Sequence, residues 1–343
     1  MDKKNLLKLL NDTEENDTGS SEGTRTLLID GLNLFFRNFA MMNMVNPSGI
    51  HIGGLGGFFR SLGAEIRRTQ PDQVYVIFDG ASSTTNRKNI ISEYKSGRED
   101  QRVTNWEVFD SLDDEHDSKV DQIVRVIHYL KTLPVKTVIL DKVEADDIIA
   151  YLCNTLPNHP EDKIFIVSSD KDFLQLINKN VIVYRPMEKK YYTEEVFKEK
   201  YKMSPQNFIL HKTLLGDNSD KIKGVKGLGE KGLLKKFPEL SERNLTFDDI
   251  FKICEKKFKE HVVYARIIQG VDDLEKNYKV MDLSNPMIDE NEKKYLNEVV
   301  KSKELNYIPE QFISLYNEDQ LGGMIRNLDY WLKENFERLY KWH

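Results

Sequence analysis

Short runs of β-branched and other apolar residues recur along the N-terminal half of the chain: Thr26–Ile29, Val74–Phe78, Thr137–Leu140, Ile164–Val167 and Val181–Tyr184. Between them the apolar positions follow a helical spacing, which predicts helices over Leu55–Arg68, Val120–Leu130, Asp146–Leu156 and Phe173–Ile177. Near-continuously apolar strands that alternate with helices specify an α/β fold with a doubly wound, mostly parallel sheet covered on both faces. From Ser204 onward the pattern is helical and rich in Lys and Glu, with no strand. Residues 1–24 are polar and read as a flexible tail. The expected organisation is therefore a tail (1–24), an α/β core (25–200) and a helical region (201–343).

Three of the strands run directly into an acid: Leu-Leu-Ile-Asp30, Val-Ile-Phe-Asp79 and Ile-Val-Ser-Ser-Asp170. In open parallel sheets the ligand site lies beyond the carboxyl ends of the strands, so segments distant in sequence deliver carboxylates to one rim. Asp172 adds to them, as does Glu144-Ala-Asp146-Asp147. Glu144 and Asp147 share a helical face, whereas Asp146 joins them only if Glu144 is an N-cap. Gly216-Asp217-Asn-Ser-Asp220 supplies two more acids in a Gly-marked turn. So many crowded carboxylates repel unless a cation neutralises them, and hard oxygen donors select Mg²⁺, with Mn²⁺ as a substitute. Two such ions roughly 4 Å apart activate a water and stabilise a leaving oxygen in phosphodiester hydrolysis. Taken singly, each acid is more simply a cap or a solvated turn residue; three strand ends with two acidic doublets are not.

Composition changes the picture little. The chain has 343 residues, 39% hydrophobic and 31% charged, and a net charge of −6. It has no apolar run of membrane-spanning length, no leader pattern and only two cysteines, Cys153 and Cys254, far apart. A cytoplasmic, reduced, membrane-free setting and a monomer are expected. The net charge argues against nucleic acid, but the basic residues are grouped. Lys221–Lys236 holds six lysines against one acid, with Gly224, Gly227 and Gly229 between the predicted helices Pro205–Leu215 and Glu230–Phe237. Glycines between two short helices make a hairpin, at about 205–237, whose amides and Lys221, Lys223, Lys226 and Lys231 hold a phosphate without reading sequence. A second basic stretch, Arg87, Lys88, Lys95 and Arg98, follows Asp79 and precedes an acidic run, Asp110–Asp117. The connection from the second strand to the helix at Val120 is about forty residues long, too long for a plain crossover, and is expected to cover the acid rim. Gly53–Gly57 lacks dinucleotide spacing and is read as a turn opening a helix.

Leu-Ile-Asp30-Gly, Phe-Asp79-Gly, Glu144-Ala-Asp146-Asp147, Ser-Ser-Asp170-Lys-Asp172-Phe, Gly-Asp217-Asn-Ser-Asp220 and Gly-Val-Lys-Gly-Leu-Gly-Glu-Lys occur in this order from about Leu27 to about Pro286. In this series the chain resembles the flap endonuclease and 5′-exonuclease family, and within it the primer-removing ribonuclease H branch of T-even-like bacteriophages. The resemblance implies a PIN-like nuclease core with a helical arch at about 82–118 and a helix–hairpin–helix. It implies one ion held by Asp30, Asp79, Glu144 and Asp146 and a second by Asp170, Asp172, Asp217 and Asp220, with Asp147 near both. It also implies a potassium ion on hairpin carbonyls, Arg87 and Lys88 against DNA, and Lys95 and Arg98 steering the scissile phosphate. The implied substrates are branched DNA with a 5′ flap and RNA–DNA hybrid, in phage replication. The implied partner is a phage single-stranded-DNA-binding protein at the C-terminal region; Leu6–Leu10 reads as a frayed helix, with a sliding-clamp peptide as the alternative. Gly232 and the acidic run 110–117 depart from the family pattern. A catalytically silent branched-DNA-binding protein would need a broken acid set. A PIN-type RNase would lack the Gly-Lys hairpin.

Overall fold

The computed structural model describes residues 23–97 and 102–342, with the side chain of Trp342 excepted. The candidate clamp peptide at Leu6–Leu10, most of the tail and Arg98 lie outside the described residues.

The five predicted strands form, as β1 (Arg25–Asp30), β2 (Gln73–Asp79), β3 (Lys136–Leu140), β4 (Lys163–Val167) and β5 (Val181–Arg185). Their order in the sheet is β3-β2-β1-β4-β5, all parallel, and a short antiparallel β6 (Lys190–Tyr192) closes the edge beside β5. β6 is too short for a periodicity to announce it. The chain direction reverses at β1: strands are added toward β3 on one side and toward β5 on the other, so the switch point lies between β1 and β4.

Strand side chains alternate between two cores. Leu28, Tyr75, Ile77, Ile164 and Ile166 enter one, while Leu27, Ile29, Val74, Val76 and Phe165 enter the other. The second core holds α1 (Gly31–Met41), α2 (Gly53–Thr69) and α3 (Leu112–Leu130). The first holds α4 (Ala145–Thr155), α5 (Glu194–Tyr201), α6 (Phe208–Leu215) and α7 (Glu230–Lys236). It continues through α8 (Phe247–Lys257), α9 (Val262–Gln269), α10 (Val271–Met281) and α11 (Glu290–Lys301). Gly53–Gly57 forms the buried first turn of α2 itself rather than a turn before it. A Cβ on Gly54 would lie 2.6 Å from the Phe35 ring and one on Gly57 2.7 Å from Asn38 Cβ, so these glycines let α2 pack closely on α1.

Two features depart from the sequence reading. The helix expected from Val120 starts at Leu112, with Ser111 as N-cap and Asp113, Asp114 and Glu115 in its first turn. Most of the acidic run is thus the favourable N-terminal charge of a helix. Glu115 is fully buried and accepts from the backbone N–H groups of Thr104 and Asn105 and from Lys119. Among the described residues, the helical part of the connection before Leu112 is a single turn, Thr85–Lys88. The other departure is at the C-terminal end. From α12 (Pro309–Glu318) onward the chain leaves the helical region and packs on the α2–α3 face, with Phe312, Trp331 and Phe336 buried. Phe312 packs edge-to-face on Phe59 and on Tyr129, with centroids 5.3 and 4.9 Å apart, and Phe59 and Tyr129 are tilted against each other at 5.1 Å. Residues 201–343 are therefore not one helical unit.

Candidate active site

Asp30 ends β1 and caps α1: its Oδ1 accepts from the Asn33 N–H at 3.1 Å, and its Oδ2 from the Ser168 hydroxyl at 2.9 Å. Ser168 follows β4, so this bond spans the switch point. Desolvation, with Asp79 and Asp170 adding like charge, pushes the Asp30 carboxyl up to about 7. Asp79 ends β2 and accepts the Ala145 N–H at 2.7 Å, which ties β2 to the start of α4. Burial raises it too.

Glu144 is the residue before α4, in extended conformation, as its grouping with Asp146 and Asp147 required. All three acids converge on Arg87. Its guanidinium donates to Glu144 Oε2 at 2.8 Å and to Asp147 at 2.7 and 3.1 Å, and lies 3.3 Å from Asp146 Oδ1. Its Nε donates to the Val280 carbonyl at the end of α10, at 2.9 Å. Arg87, expected against DNA, is 3% exposed and carries a buried structural charge instead; the reason is that three carboxylates need a cation where water is excluded. Asp147 also accepts the Met287 N–H at 2.9 Å. Glu144 Oε2 accepts in addition from the Tyr94 hydroxyl at 3.1 Å and the Lys95 ammonium at 2.9 Å. Burial, then Asp146, raises the Glu144 and Asp147 carboxyls against the opposing charge of Arg87.

The second group is built on the turn after β4 and on a two-residue ladder, β7 (Gly216–Asp217) with β8 (Ile222–Lys223). Asp170 Oδ1 accepts the Asp172 N–H at 2.8 Å. Lys212, in the last turn of α6, donates to Asp172 and, at 2.7 Å, to Asp217 Oδ2. Burial and Asp170 push Asp172 up. At Asp217 desolvation acts upward, but Lys212 and the Ser219 hydrogen bonds prevail and hold the carboxyl at about 2. Asp220 is buried and its carbonyl accepts the Lys95 N–H at 3.0 Å. Lys95 sits at φ +52°.

The nine expected acids thus lie at one rim, around three cations among the described residues. Among the described residues no three of them are placed to hold a metal ion as they stand, because the carboxylates turn onto Arg87, Lys95 and Lys212. Hard-cation chemistry nonetheless fits the set. Acids outnumber cations, and Glu144 Oε1 is buried with no hydrogen-bond partner.

The side chains of Lys221, Lys223, Lys226 and Lys231 are exposed, as are Gly227 and Gly229, and Lys88 is exposed on the preceding connection. Gly224 has another role: a Cβ there would lie 2.1 Å from the Leu215 carbonyl, so only glycine lets the ladder meet the end of α6. The carbonyls of Lys223 and Lys226, in the hairpin expected to hold potassium, accept from Asn277 at 2.8 Å and Arg266 at 2.7 Å. A cleft of about 550 Å³ opens between Ile90–Glu93, the hairpin and α10, lined by Lys221, Lys223, Lys226, Arg266 and Lys276. Lys212 and Arg266 escaped the sequence reading. Lys212 had a signal, a lone cation inside Phe-Ile-Leu-His-Lys-Thr-Leu-Leu, which has to be paired when that helix is buried.

Residues 25–202 match the family described as 5′-3′ exonuclease, N-terminal resolvase-like domain. The 5′-3′ exonuclease of Aquifex aeolicus is 31% identical over 260 residues, 75% of this chain and 80% of that protein. DNA polymerase I of Bacillus subtilis is 31% identical over 246 residues, 70% of this chain but 26% of the polymerase. The flap endonuclease of bacteriophage T5, solved with DNA and metal ions, has the same fold: TM-score 0.60 at 19% identity, over 92% of this chain and 99% of that one.

Proposed function

Because this chain belongs to the 5′-3′ exonuclease family, we propose that it is a structure-specific 5′-nuclease that hydrolyses phosphodiesters of DNA flaps and RNA primers. The observation that carries this reading is the gathering of nine acids at the switch point of the sheet, beside an exposed Gly-Lys hairpin. Asp30, Asp79, Glu144 and Asp146 would hold one Mg²⁺ or Mn²⁺ ion, and Asp170, Asp172, Asp217 and Asp220 the other. Such ions supply an activated water and charge for the leaving oxygen. Asp147 has both oxygens bound by Arg87 and one by the Met287 N–H, and so ties α4 to the connection after β2 and to the segment between α10 and α11. The hairpin lysines and the cleft behind them would hold a duplex backbone through its phosphates. Lys95, on the connection over the rim, would turn from Glu144 to the scissile phosphate. Asn277 and Arg266 satisfy two hairpin carbonyls, so the hairpin needs potassium less than a turn with open carbonyls does.

Product mapping on 5′-labelled flap, nicked and RNA-primed substrates with Mg²⁺ tests the proposal. The expected result is metal-dependent cutting at or near the junction. Tight binding of branched DNA without cutting in Mg²⁺ or Mn²⁺ would favour the silent-binder reading. Cutting confined to single-stranded RNA would favour a PIN-type RNase.

A further inference from the structure

The two buried cations of the site differ in how they are held. Arg87 is fixed: its guanidinium bonds to Glu144 and Asp147, and its Nε is anchored on the main chain of α10 at Val280. Lys212 is a four-carbon stem emerging from α6, and its ammonium hydrogen bonds go to Asp172 and Asp217. Phe208, Ile209, Leu210 and Leu214 bury the rest of α6, so the helix itself is rigidly seated while the lysine stem reaches out to the acids. A lysine ammonium is a compact, strongly hydrated charge on a flexible arm, whereas a guanidinium forked among several acceptors is locked. The acids it bridges belong to the second of the two carboxylate groups, with Asp170 bonded to Asp172 beside them.

We propose that Lys212 is a displaceable counter-ion: it bridges Asp172 and Asp217 until a divalent cation claims those carboxylates, and then swings out. This rests on the metal reading above. The reasoning is electrostatic. Without a cation the buried Asp172 carboxylate would stand unpaired beside Asp170 and half-buried Asp217, which is costly. With a divalent ion bound, a lysine in the same place would repel it. The ion and the ammonium therefore exclude one another, and the second group binds its ion more weakly than the acids alone would. Arg87 has no such freedom and stays at the first group in both states.

The test is Mn²⁺ binding to the full chain without DNA, read from the electron paramagnetic resonance signal of free Mn²⁺. A charge-assisted hydrogen bond removed from competition corresponds to about ten- to a hundredfold in affinity, so Lys212→Met should tighten the weaker class of sites by that factor. A second measurement needs no variant: reductive methylation of Lys212 in the wild-type chain, followed by mass spectrometry, should rise when Mn²⁺ is added. Two classes of site in the wild type, with the weaker one unchanged in Lys212→Met, would overturn the role of Lys212 and leave the metal reading standing. Equal protection of Lys212 with and without Mn²⁺ would overturn it as well. No Mn²⁺ bound by either protein would remove the metal reading and this proposal with it.

Discussion

Arg87 offers the sharpest test of the architecture, because sequence and structure assign it opposite environments. As a surface contact to phosphate, Arg87→Met would leave stability within about 0.5 kcal/mol of the parent and flatten the salt dependence of DNA binding by roughly 0.9. As the buried partner of Glu144, Asp146 and Asp147, its loss removes the cation shared by three carboxylates, leaving Glu144 to Tyr94 and Lys95 and Asp147 to the Met287 N–H, and strands the Val280 carbonyl. Removing one partner of a buried pair costs about 3–5 kcal/mol. Unfolding entropy of roughly 2.1 cal/mol/K per residue over 343 residues converts this to a fall in Tm of about 4–7 °C. The pH dependence has a definite sign. Glu144 and Asp147 are already raised in the folded chain, so the folded state holds more protons than the unfolded one above about pH 4. Their contribution to stability is present below that pH and is lost as pH rises through the folded values. Without Arg87 those values climb further, so the deficit of the variant should be largest near pH 8 and shrink near pH 5. Thermal melts by circular dichroism at both pH values, in chelator, read this directly. A variant as stable as its parent at pH 8 would refute the buried-cation account and return Arg87 to the DNA surface.

Asp146→Asn should abolish cleavage while gel-shift affinity for branched DNA stays near that of the parent; near-normal turnover would remove Asp146 from the chemistry. Neutralising Lys223 and Lys226 together should flatten the plot of log affinity against log salt by up to about two units, since each phosphate contact contributes roughly 0.9, and an unchanged slope would mean the hairpin is only solvated. Phe312→Ala should cost about 3–5 kcal/mol in urea unfolding, because the C-terminal segment is part of the sheet's second core; a loss near zero would make that segment an appendage. A bulky protein fixed to the 5′ end of a flap before mixing should suppress cutting, whereas one added after binding should not. Equal rates in both orders would exclude a strand threading beneath the connection that follows Asp79.

The sequence determined the sheet and the acid rim, because both rest on local patterns. Apolar runs such as Tyr75–Phe78 must be buried on two faces, and a strand that ends in Asp30 or Asp79 delivers its carboxylate to the strand's end by geometry alone. The Gly-Lys hairpin was legible for the same reason: its turn residues and charges are contiguous. What the acids are bonded to was not legible. Arg87 sits beside Lys88 in a stretch that looks like any exposed basic segment, and only the approach of α4 and α10 makes it a buried ion 57 residues from Glu144 and 193 from Val280. Lys212 likewise reads as one charge in an apolar helix until the turn after β4 is brought to it. The position of residues 309–342 was decided by packing too: Phe312, Trp331 and Phe336 are buried against the α2–α3 face while Tyr330 and Tyr340 stay exposed, a split that no local pattern specifies. Local pattern sets where a side chain leaves the backbone. Charge pairing and helix packing are long-range, and the tertiary structure alone decides which partner meets it there.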